Sequence, residues 1–137
     1  MFVPLTLTDE EKFASFRAVV EAVGCNCELG ATTIVEGMPF SRVGEFEEVR
    51  DRAAEAGVPT YSVWLSVPID LARSRVAADV RSGVPMADDR VERVTEVAGR
   101  FRPPPDDGLV LDGRRSLDEL ADEVLTHLAR ARAHVRG

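Results

Sequence analysis

Apolar residues recur at three- and four-residue spacing between Asp9 and Leu29, where Phe13, Phe16, Val20, Val23 and Cys27 fall on one face and predict a helix. Thr8 and Glu11 stand at capping-box spacing, so a hydroxyl and a carboxylate satisfy orphan amides at its start, and Gly30 is suited to end it. Ala31-Thr-Thr-Ile-Val35 is a β-branched run that predicts a short buried strand. A second helix is expected from about Arg42 to Ala56, with Ser41 as cap and Gly57 as terminator. Its apolar face is thinner: Val43, Phe46, Val49 and Ala53. Thr60-Tyr-Ser-Val-Trp-Leu-Ser66 is the strongest strand pattern in the chain, with Trp64 expected in the core.

The second half repeats the alternation. Pro68 suits a first helical turn, and Leu71, Ala72, Val76 and Val80 carry a helix to about Ser82. Gly83 to Asp88 predicts a loop, after which Asp89 and Glu92 form a second capping box for a helix on Val91, Val94, Ala98 and Phe101. Pro103-Pro104-Pro105-Asp106-Asp107-Gly108 breaks that helix, and Leu109-Val-Leu111 predicts a short strand. Ser116 and Glu119 make a third capping box, opening an amphipathic helix on Leu117, Leu120, Ala121, Val124, Leu125 and Leu128. Strands separated by helices predict an α/β fold with a parallel sheet and helical crossovers.

Length and charge narrow the function classes. The 137 residues predict a single domain. Seventeen basic against twenty-four acidic residues leave a net charge of −7, which argues against nucleic acid or a polybasic membrane anchor. No apolar run approaches the ~18–20 residues of a membrane span, and the first eight residues carry no basic, apolar secretory pattern. Two cysteines make no disulfide framework, so a reduced, cytoplasmic setting is expected. Cys25 and Cys27 are expected as buried thiols and His127 and His134 as surface residues, because neither pair has a third metal ligand nearby.

Candidate chemistry gathers beyond the carboxyl ends of the strands, where parallel sheets hold their ligands. Three such ends are expected: Glu36-Gly37-Met38-Pro39, Ser66-Val67-Pro68, and Asp112-Gly113-Arg114-Arg115. Glu36 is suited to hold a metal through water or to accept a proton from a hydroxyl, or else to cap a helix or pair with Arg42.

Ile34-Val-Glu-Gly37, Ala54-Glu-Ala-Gly57 and Val63-Trp-Leu-Ser-Val-Pro68-Ile-Asp-Leu-Ala-Arg-Ser-Arg75 follow one another in an order that resembles small P-loop kinases. The pattern is similar to the C-terminal two-thirds of gluconate, shikimate and adenylylsulfate kinases and zeta-toxin-like phosphotransferases. Arg100-Phe-Arg-Pro-Pro-Pro105, Leu109-Val-Leu-Asp112 and Ser116-Leu-Asp-Glu-Leu120 resemble their ending. The resemblance spans roughly residues 10–130. It implies a P-loop NTPase-like parallel sheet flanked by helices and incomplete at the N-terminus. It also implies Glu36 at the acidic Walker-B-like position and Arg75 as a catalytic arginine from the lid. Arg81 is the candidate for a second lid arginine, although the family spacing falls on Asp79; otherwise Arg73, Arg75 and Arg81 form a solvated helix face paired with Asp70 and Asp79. Arg102 is placed to stack on an adenine or to end a helix.

One part is absent. A phosphate cradle needs glycine amides and a lysine. Gly-x4-Gly-Lys-Ser/Thr does not occur, and sixteen of the seventeen basic residues are arginine, Lys12 alone being lysine. In the family the cradle strand lies mid-sheet, so its place is expected to be taken by Met1 to Leu7, by another chain, or by a different sheet closure. Pro4 makes the first of these awkward. The expected function is a truncated or split P-loop-kinase-like protein, inactive alone, with ATP and Mg bound only if a partner or missing segment supplies the P-loop. Its partners are a second copy or another chain completing the sheet, and a small-molecule hydroxyl substrate. The alternative is a non-catalytic interaction or regulatory domain.

Overall fold

Helix α1 (Asp9–Glu28) begins where the sequence places its cap: Thr8 Oγ1 accepts from the Glu11 amide at 3.2 Å, and Glu11 Oε2 accepts from the Thr8 amide at 3.1 Å. In this computed structural model the described residues are 8–36, 44–84, 90, 91, 93–101 and 108–135. They belong to two compact units, Met1–Thr60 and Tyr61–Gly137.

The first unit is an α-helical pair. α2 spans Glu45–Glu55, and Phe16, Val20, Val23 and Cys27 of α1 form one apolar cluster with its Val49 and Ala53. Phe13, on the same expected stripe, is 57% exposed. Gly24 sits inside α1 with the Arg52 guanidinium where a β-carbon would be. That absence lets Arg52 cross α1 and donate Nη2 to Glu28 at 2.9 Å, and Nη1 also reaches Glu55 at 3.3 Å. α2 starts after Gly44, whose φ of 87° is a left-handed conformation that glycine adopts without steric cost. The Ser41 cap lies outside the described residues.

Residues 31–36 correct an expectation. They form no strand, and Ile34 is 88% exposed. A β-branched run has the local preference for extended backbone, but a strand exists only where a neighbour takes its hydrogen bonds. Val35 packs against the α1–α2 cluster instead.

The second unit holds the sheet. β1 (Val63–Ser66) and β2 (Leu109–Asp112) pair in parallel, with Val63 opposite Leu109 and Ser66 opposite Asp112. Between them run α3 (Ile69–Arg81) and α4 (Val94–Arg100), which pack on each other. α5 (Leu117–Val135) follows β2 and packs against it. Side chains alternate along a strand, so Val63, Leu65, Leu109 and Leu111 share one face and Trp64, Ser66, Val110 and Asp112 the other. Leu111 is 1% exposed; Leu65 is 54% exposed, and Trp64 is only half-buried. The chain is therefore α-rich with a small two-stranded parallel sheet and five helices among the described residues. That fits α/β organisation. The proline breaker and the Asp89–Glu92 box lie outside the described residues, while the third box is present: the Ser116 amide donates to Glu119 Oε2 at 3.0 Å.

Candidate strand-end site

β1 and β2 run in the same direction, so the ends after Ser66 and Asp112 open side by side. A cleft of about 390 Å³ lies there, lined by Ser66, Pro68, Val110, Leu111, Asp112 and Arg114. The turn at Gly113 joins two of these residues, Asp112 and Arg114. The Gly113 amide donates to the Ser66 carbonyl oxygen at 2.8 Å, extending the ladder by one bond. An added β-carbon would run into Val67 Cγ2 and lie 3.1 Å from the Ser66 carbonyl oxygen, so only glycine fits this approach.

The turn then doubles back onto its own aspartate. Asp112 Oδ1 accepts from the Arg114 amide at 3.0 Å, while the Arg114 guanidinium grips the carboxylate through Nε at 2.9 Å and Nη2 at 2.7 Å. Such two-point contact between a planar guanidinium and a carboxylate fixes direction as well as distance. The side-chain bonds from Arg114, then its amide, hold the Asp112 carboxyl down to about 2, and Arg115 adds a weaker pull. Arg115 itself pairs with Glu123 of α5. The cleft thus offers a carboxylate, a guanidinium with its remaining donors, and the Ser66 hydroxyl. These groups are able to hydrogen-bond a polar ligand.

Arg75 reaches the same turn. It projects from α3 and donates Nη2 to the Gly113 carbonyl oxygen at 2.8 Å in a partly buried setting. Arg81 closes the same helix and is exposed. Six residues of helix separate the two by about 9 Å and about 240° of rotation, so they do not converge as a pair of lid arginines. Arg73 bonds the Thr95 hydroxyl and lies 3.9 Å from Asp70, while Asp79 pairs with Arg90 at 3.8 Å. Arg73, Arg75 and Arg81 are all exposed, as the solvated arginine face expected there requires; of the expected pairings, Arg73 meets Asp70 while Asp79 pairs with Arg90.

Glu36 is an exposed residue of the first unit and ends no strand, because residues 31–36 are not one. Arg102 lies outside the described residues. Cys27 is buried as expected, but Cys25 is exposed. Among the described residues no group of three or more His, Cys, Asp or Glu side chains is arranged to hold a metal ion. A larger cleft, about 550 Å³ on the first unit, is rimmed by the solvated charges of α1 and α2, including Arg17, Glu21, Glu47 and Asp51. No helix of the described residues is long and apolar enough to cross a membrane.

Asp112, Gly113, Arg114 and Ser66 were visible in the sequence as residues at strand ends. The bond from the Gly113 amide to the Ser66 carbonyl was not, since it needs the two ends brought side by side. No protein-family model matches this chain, and neither a curated protein nor a solved structure is similar to it at a significant level.

Proposed function

We propose that the chain is a P-loop-kinase-like protein, related to ATP-dependent small-molecule phosphotransferases, that needs a second polypeptide to complete its site. What supports the reading is the edge of β1. Among the described residues β1 pairs only with β2, through a helical crossover, and its other edge carries no strand. In the kinases the sequence resembles, the cradle strand occupies that place. The partner strand brings the glycine amides and lysine, ATP and Mg bind with it, and a small-molecule hydroxyl is the acceptor. The polar cleft at Ser66, Asp112 and Arg114 is where the bound molecules meet this chain.

Calorimetry of the isolated chain with ATP–Mg tests the proposal. No binding tighter than about 10 μM is expected, because no cradle is present to hold the phosphates. A dissociation constant at or below that level overturns the need for a partner.

A second reading, a non-catalytic interaction or regulatory domain, draws on the exposed Val63 and Leu65 of β1 and the exposed Val110 of β2. The two part on chemistry. A partner that docks on β1 without conferring ATP turnover favours the second.

A further inference from the structure

Arginines on helix surfaces ordinarily extend into water or pair with a near neighbour, as Arg100 of α4 does with Glu96. Arg75 differs. Its partner is a backbone carbonyl 38 residues along the chain, on the turn after β2. Gly113 consequently has both of its backbone polar groups taken, the amide by the end of β1 and the carbonyl by α3. The residue that follows is the one whose amide and guanidinium grip Asp112.

We infer that Arg75 is a positioning residue, which clamps the turn at Gly113 so that Asp112 and Arg114 stand paired over the carboxyl ends of both strands. The kinase resemblance would place this arginine on a phosphate. The geometry gives it a task inside the protein instead, and that task is independent of the kinase-like reading and of any ATP-binding result. Removing the clamp leaves, among the described residues, the Ser66 bond as the one hydrogen bond on the Gly113 backbone. The turn then opens more often, and the Arg114 donors lose their register on the carboxylate.

NMR on the whole chain tests this. The measurement is made in about 0.5 M salt, where the loss of one positive charge is itself largely screened. In Arg75→Ala the amides of Gly113 and Arg114 should exchange with solvent about tenfold faster, those of α1 being unchanged. Between pH 5 and 3 the Asp112 carboxyl carbon shift should stay near its ionised value in the unaltered chain, where the Arg114 bonds hold the carboxyl down to about 2. In the variant it should move across that range, toward ordinary aspartate behaviour. Should Arg75→Ala fail to fold, Arg75→Met, which keeps the apolar stem and lacks donors, carries the same comparison. A folded variant with unchanged exchange at Arg114 and an unchanged Asp112 titration overturns the inference and leaves Arg75 a packing residue.

Discussion

At the scale of single residues, two glycines make room for contacts that a side chain in their place would disturb. Gly24 makes room for Arg52 to cross α1, and Gly113 lets the turn after β2 close on the Ser66 carbonyl. Neither role shows as a motif, because each depends on an atom brought in by a remote segment. Gly113→Ala should destabilise the chain by about 1–3 kcal/mol, the usual cost of forcing a methyl group into a filled space. Gly99 is the control: an added β-carbon there meets nothing within 4 Å, and it lies inside α4. Gly99→Ala should be neutral or stabilising by up to about 1 kcal/mol, since alanine is the better helix former. Urea denaturation of both variants checks the pair. Equal losses would show that the Gly113 approach is not tight.

Among the elements, two capping boxes were legible, and the failure of residues 31–35 to form a strand was not. Thr8–Glu11 and Ser116–Glu119 close within one turn of backbone, so four consecutive residues contain the whole interaction. A strand has no such autonomy. Residues 31–35 carry the composition of a strand but form none, whereas β1 and β2 pair with each other. Periodicity likewise places Phe13 and Phe16 on one stripe, yet the partner helix α2 covers only the part of it that includes Phe16. Phe16→Ala should therefore cost about 3–5 kcal/mol, and Phe13→Ala well under 1 kcal/mol. The first unit buries few side chains, so the Phe16 variant should also lose helical circular dichroism well below the melting temperature of the unaltered chain. Similar losses for both variants would mean that the cluster extends to Phe13.

For the whole molecule, the open β1 edge sets the expectation. Val63-Trp-Leu-Ser66 contains no charged residue or proline to discourage pairing, and Val63 and Leu65 are exposed. On the proposal that another chain completes the sheet, sedimentation velocity at about 1–100 μM should show a dimer or larger species. Leu65→Lys should shift it toward monomer. A clean monomer across that range contradicts self-association and leaves a different polypeptide as the only partner the proposal allows. The amino-acid sequence by itself determined where α1, α3 and α5 start, that helices cross over between β1 and β2, that net charge is acidic, and that the pattern Gly-x4-Gly-Lys-Ser/Thr does not occur. Each of these is a matter of local backbone chemistry or of composition. Only the tertiary structure decided that residues 31–36 form no strand, that two strand ends meet in one cleft, and that Arg75 is bonded to Gly113. Hydrogen bonds across a sheet and between remote turns depend on which segments become neighbours, and that choice is made by packing, to which local pattern is blind.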